Sequence, residues 1–151
     1  MGRPAKVWSL TPAADRYFPD AHAELTVSLL NAIKDNFGEK GLDRLVAARA
    51  RQQVDAYGKE VSKSDPLVRR LKALAGIRSE EGYMAEVRSQ KDGSFLFIEN
   101  HCPICAAATT CTGLCSAELT VFQSVLGPDT RVERTEHKLA GARRCVYKVT
   151  K

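Results

Sequence analysis

YMAEVRSQKDGSFLFIEN, residues 83–100, is the stretch where the chain changes its period. Tyr83 to Ser89 and Phe95 to Asn100 read as extended segments, rich in the aromatic and β-branched residues that suit a pleated surface. Lys91-Asp92-Gly93-Ser94 joins them, and Asp-Gly is a strong hairpin signal, because glycine tolerates the positive φ that a tight connection needs. A sheet therefore begins at this point.

Upstream of it the repeat is helical. Asp65-Pro66 opens one helix that Gly76 should end, with Arg69-Arg70-Leu71-Lys72 as an exposed face. Before it, Gly41 to Val61 carries Leu42, Val46, Ala50, Val54, Tyr57 and Val61 on one side. Pro19-Asp20 starts another helix in which Leu25, Leu29, Ile33 and Phe37 recur at four-residue spacing until Gly38 stops it. That stripe needs a partner, either the next helix of the same chain or a second copy. At the front, residues 1–10 read as a turn and a short strand, and Thr11-Pro12 opens a short helix to about Phe18.

Downstream lies a cysteine-rich loop, then a helix from Ser116 to Leu126 with Leu119, Phe122 and Leu126 on one side, closed by Gly127-Pro128. Thr130 to His137 and Cys145 to Thr150 read as two more strands. The expected fold is α+β: an N-terminal helical part followed by a β-β-α-β-β sheet unit that carries a cysteine-rich metal-binding loop. Its parts divide at 1–18, 19–78 and 79–151, the last two forming one compact domain.

The chain has 151 residues and 44% hydrophobic content, enough for one core without disulfides. No stretch approaches the roughly 18 apolar residues of a membrane span, and MGRPAKVWSL lacks the apolar centre of a signal peptide. A cytoplasmic protein is the expectation. The net charge of +5 lies wholly in front: residues 1–78 hold 14 Lys/Arg against 9 Asp/Glu, and residues 79–151 hold 9 of each. A surplus of that size suits an ordinary solvated surface and does not by itself indicate nucleic acid.

Five cysteines is an odd number, and clustered thiols in a reducing compartment are metal ligands or redox groups more often than disulfides. Cys102, Cys105, Cys111 and Cys115 fall within 14 residues, and Cys145 follows after a gap. From His101 to Leu126 the only formally charged residue is Glu118, so the thiols sit among Ala, Thr, Ile, Leu and Val, and such a loop can exclude water. Cys115 precedes the helix from Ser116, where the positive end of the dipole should ease its ionisation. Cys145 opens the final strand and reaches the others only if the sheet brings that strand beside the loop.

ENHCPICAAATTCTGLCSAELTVFQSVLG (99–127) followed by RVERTEHKLAGARRCVYKV (131–149) resembles the C-terminal region of SufR-type iron-sulfur regulators, which are winged-helix transcriptional repressors. The resemblance implies that Cys102, Cys115 and Cys145 bind a cluster of the 4Fe-4S kind; 12 residues separate the first pair, as in the family, and 29 separate the second, slightly more than is usual there. At the other end GRPAKVWSLT (2–11) looks like the last strand of a wing and FPDAHAEL (18–25) like the linker helix of such regulators. It further implies a homodimer, and a helix-turn-helix outside these residues as the part that reads DNA.

Cys105 and Cys111 are additional to the three-cysteine pattern. Cys105 is the favoured fourth ligand, since Cys-x-x-Cys lets two thiolates grip one metal or cluster edge, giving a metal set of Cys102, Cys105, Cys115 and Cys145. Cys111, His101, His137 or an external ligand remain alternatives. Zinc is the alternative to the cluster, because four thiolates suit Zn(II) equally. Two rivals come from other classes. One is a zinc-stabilised domain that binds a small molecule; the other is a thiol-disulfide oxidoreductase built on His101-Cys102-Pro103-Ile104-Cys105. An enzyme is not the expectation.

Overall fold

The computed structural model describes residues 21–151. The expected wing strand, Trp8, the short helix to Phe18 and the Pro19-Asp20 helix start lie outside the described residues. Helix α1 spans His22–Tyr57 and is broken at Gly38, whose φ of 69° and ψ of −178° no helix accommodates. The two expected helices are thus joined with no loop between them, and the second ends at Tyr57 rather than Val61. Leu42, Val46, Tyr57 and Val61 are buried, as the periodicity predicts. The earlier stripe behaves differently: Leu30 is the buried residue, while Leu25, Leu29 and Phe37 are 56%, 54% and 71% exposed.

Helix α2 spans Leu67–Glu80 and passes through Gly76, where it was expected to end. A glycine inside a helix costs about 1 kcal/mol relative to alanine, and the helix runs on through it to Glu80, burying Arg78 beyond Leu71, Leu74 and Ala75. Arg69 and Lys72 are exposed, but Arg70 is only 3% exposed, correcting the reading of that run as a solvated face. Its guanidinium pairs with both carboxylate oxygens of Asp129 at 2.8 Å and also donates to the Leu126 carbonyl.

Strands β1 (Ala85–Ser89), β2 (Phe95–Glu99), β3 (Arg131–Glu136) and β4 (Cys145–Thr150) form a four-stranded antiparallel sheet in the order β1-β2-β4-β3. The hairpin is where Asp92-Gly93 indicated it. Gly93 has φ 81°, and the Asp92 carboxylate accepts from the Ser94 backbone N–H at 3.0 Å and hydroxyl at 2.6 Å. Strand β1 starts two residues later than expected, after Met84, whose φ of 51° is unfavourable for a side chain with a Cβ.

Between β2 and β3 the chain makes α3 (Cys105–Thr110) and α4 (Gly113–Leu126), then the β3–β4 connection contains one 3-10 turn, Lys138–Ala140. Much of the expected cysteine-rich loop is therefore helix, and the sheet unit reads β-β-α-α-β-β. Alanines carry this change: α3 is Cys-Ala-Ala-Ala-Thr-Thr, in which Ala107 and Ala108 are buried. The main core joins α1's end, α2, α4 and one sheet face around Phe97, Phe122 and Tyr147, whose ring centroids stand 5.1–6.2 Å apart. A second cluster of Leu30, Leu42, Val46, Ala107, Cys111 and Leu114 joins α1, α3 and α4.

Candidate metal centre

Each cysteine is set by a different element. Cys102 follows β2 in a turn closed by the Cys105 N–H donating to the Cys102 carbonyl at 3.3 Å. The strand exit is tied to the preceding turn, because the His101 N–H donates to the Tyr83 carbonyl at 3.0 Å. There Gly82 has φ +90°, and a Cβ on it would lie 3.8 Å from Pro103. Cys105 opens α3, Cys115 is the third residue of α4, and Cys145 is the first of β4. Pairing of Cys145 with Glu99 on β2 puts the last strand beside the turn that carries Cys102.

Cys102 and Cys115 are each influenced electrostatically by Cys105 and Cys145. Cys111 instead acts on Lys34 of α1 and packs in the second apolar cluster. All five are free thiols, and Cys111, Cys115 and Cys145 are buried. Among the described residues, no three His, Cys, Asp or Glu side chains stand close enough together to hold a metal ion.

Cys115 is not eased toward ionisation by the helix start, contrary to expectation. Burial and then the Glu118 carboxylate push its thiol up to about 11, with Arg134 opposing. The physical reason is that desolvation of a buried sulfur, with a carboxylate three residues along the same helix, outweighs the dipole of α4. Burial and Glu118 push Cys102 up to about 12. Cys145 is also raised by burial, although its sulfur accepts the Lys138 backbone N–H at 3.5 Å. At neutral pH these thiols are protonated, and any metal they bind must displace protons.

Beneath the thiols lies a buried ion cluster that sequence reasoning missed. Arg78, fully buried, donates to Glu99 at 2.7 Å and Glu118 at 2.6 Å, and reaches Glu81 at 3.1 Å. Its guanidinium carbon stands 3.3 Å from the Tyr83 ring centroid, and the Tyr83 hydroxyl donates to Glu118 at 3.0 Å. Glu118, the lone charge between His101 and Leu126, was a visible signal; nothing in the local sequence marked Arg78 as its partner, 40 residues away.

Arg134 was also missed. It lies over the Tyr147 ring at 5.2 Å, donates to the Cys115 carbonyl, and interacts electrostatically with Cys115 and Cys145. Its Nε is buried without a hydrogen-bond partner, as is Nε2 of His137 at the end of β3. His101 is exposed.

A separate apolar cleft of about 360 Å³ lies between α1, α3 and α4, lined among others by Leu29, Ile33, Ile104 and Leu114. No helix among the described residues is long and apolar enough to cross a membrane. Compared with known proteins, the chain matches no protein-family model, no curated protein and no solved structure.

Proposed function

We propose that this chain is the sensor domain of a SufR-like transcriptional regulator, in which Cys102, Cys105, Cys115 and Cys145 hold an iron-sulfur cluster of the 4Fe-4S kind. What supports this reading is that Cys115 and Cys145 are buried, that pairing of Cys145 with Glu99 sets β4 beside the turn that carries Cys102, and that Cys111 packs in the second apolar cluster. Cys105, in Cys-x-x-Cys spacing with Cys102, is the proposed fourth ligand, ahead of Cys111 and of the exposed His101. The cluster would supply a redox- and iron-responsive link between β4 and α3; the protein's own part is to keep that link dry. DNA would be read by a winged helix outside the described residues, and the chain would act in the cytoplasm.

A disulfide oxidoreductase needs an attacking cysteine of depressed pKa, whereas burial raises that of Cys102. Anaerobic iron, sulfide and zinc analysis tests the assignment. Cys145→Ala should lose the cluster and its visible absorbance, whereas Cys111→Ala should keep both. Full iron and sulfide in Cys145→Ala would refute it, and zinc without sulfide in the wild type would establish the zinc alternative.

The exposed Leu25, Leu29 and Phe37 face of α1 suits a homodimer, the arrangement a regulator with two half-sites requires. Light scattering at micromolar concentration should give twice the chain mass, and Leu29→Asp should give a monomer. The apolar cleft supports a second reading, a small-molecule-binding regulatory domain stabilised by zinc, because Ile104 lies both in its wall and between Cys102 and Cys105. A retained apolar ligand in native mass spectrometry would favour it.

A further inference from the structure

The break at Gly38 does more than interrupt α1. Residues 29 and 45 would stand about 24 Å apart along an unbroken helix, yet Leu29 and Leu45 wall the same cleft, so the two halves of α1 fold back on each other there. Ile104, Ala107 and Leu114 close its third side. The cleft holds about 360 Å³, within the range of about 300–1,000 Å³ usual for small-molecule sites. The second apolar cluster does not cover its walls: Leu29 and Leu45 stay 54% and 42% exposed, an apolar surface that a bound molecule would remove from water.

The polar part of the lining is small. Every lining side chain is apolar except Thr26 and Arg49, and the Thr26 hydroxyl already donates to the His22 carbonyl at 2.7 Å. Arg49 is therefore the one charged group in the wall. It is half-buried, and among the described residues it makes no ion pair with a carboxylate; its partner is the Gln53 amide oxygen, which accepts from one Nη at 2.7 Å. Gln53 is itself held, its amide donating to the Tyr57 hydroxyl at 3.0 Å, and Tyr57 donates to Glu81 at 2.7 Å. This row of bonds, which ends at the buried Arg78, fixes the Arg49 head and leaves its remaining N–H groups for a ligand.

From this geometry we infer that the cleft binds a small amphipathic anion, an apolar chain or ring with one carboxylate, whose body lies against Leu29, Leu30, Ile33 and Leu114 and whose carboxylate is taken by the Arg49 guanidinium. The inference rests on the small-molecule reading and is independent of any group held by the cysteines. Charge complementarity selects this occupant. A neutral apolar molecule would cover a half-buried cation without a counter-charge, and a second copy in an isologous contact would set the same acid-free lining against itself. A guanidinium offers a carboxylate two parallel N–H donors, so it fixes the ligand's orientation as well as its affinity.

The test titrates the full chain by calorimetry with decanoate, kept below its micellar concentration, and with decanol as the neutral analogue. Decanoate should bind at a single site. Arg49→Gln should weaken it about tenfold, the scale of a hydrogen bond to a charged group, and leave decanol unchanged. Arg49→Lys, which keeps the cation but loses the forked donor, should weaken decanoate about threefold, and it carries the test if the glutamine variant does not fold. Leu45→Gln, at an exposed position in the wall, should weaken both probes and so locate them in this cleft. Arg51→Gln, which removes an exposed cation of α1 outside the lining, should change neither. Decanoate held by Arg49→Gln as tightly as by wild type overturns the inference, as does an equal loss in Arg51→Gln or an unchanged affinity for both probes in Leu45→Gln. If decanol binds and decanoate does not, the small-molecule reading stands and the carboxylate inference falls; if neither binds, both fall.

Discussion

Around Phe97, Phe122 and Tyr147 the chain packs the end of α1, two further helices and a sheet face with edge-on rings and a buried arginine, whereas around Leu30, Leu42 and Leu114 three helices meet without a single aromatic. The first region is tied by pairing between strands and by an ion cluster with no exposed arginine atom to hydrate. The second is held by small and aliphatic side chains, and α3, one of its three helices, has only six residues. Cys145 belongs to the first cluster and Cys111 to the second, while Cys105 starts the short helix between them. A group bound by Cys105 and Cys145 would therefore fasten the weaker region to the stronger one. Such a seam is where loss of a ligand changes structure most readily.

The sharpest way to break the stronger region is Arg78→Met. It leaves Glu99 and Glu118 buried without their counter-charge, and one-sided removal of a buried ion pair costs about 3–5 kcal/mol. Urea unfolding should show that loss; a variant within 1 kcal/mol of wild type would mean the carboxylates are already neutral.

A paired truncation compares the regions directly. Phe122→Ala should cost about 4 kcal/mol and Leu114→Ala about 2 kcal/mol, the lower end for a buried leucine, because α3 can settle into the space. Hydrogen exchange should agree, with amides of Cys105–Thr110 exchanging before those of Cys145–Thr150 in metal-free protein. Equal costs and equal protection would make the two clusters one cooperative unit.

The smallest effect concerns the rim of the stronger region. Arg70 holds the Asp129 carboxyl down to about 2, from an ordinary value of 3.8. A depressed carboxyl contributes stability that is present above its unfolded pKa and disappears as pH falls through the folded one. The melting temperature of wild type should thus exceed that of Asp129→Asn above about pH 4, and the gap should close toward pH 2. A gap independent of pH would assign the pair no electrostatic part.

Local chemistry was enough for much of the framework. Asp92-Gly93 marked the hairpin because few residues accept its φ, Gly38 marked the helix break for the same reason, and the spacing of Leu42, Val46, Tyr57 and Val61 identified a buried face. Spacing also singled out the cysteines, and the absence of charge between His101 and Leu126, Glu118 apart, foretold the burial of Cys111 and Cys115, though Cys102 and Cys105 are only half-buried. What one-dimensional reading could not reach were choices made across long separations. Whether Gly76 ends a helix depends on Arg78 finding Glu99 and Glu118, and whether Arg70 is a surface residue depends on Asp129, 59 positions later. The direction of the Cys115 shift was likewise decided by burial and Glu118, against a helix-start argument that considered only its neighbours. The sequence by itself determined which residues can turn, pair or bind metal, since those are properties of side chain and φ. Only the tertiary structure decided which thiols are buried and which charges are compensated, because desolvation and Coulomb forces depend on distances that the chain order does not contain.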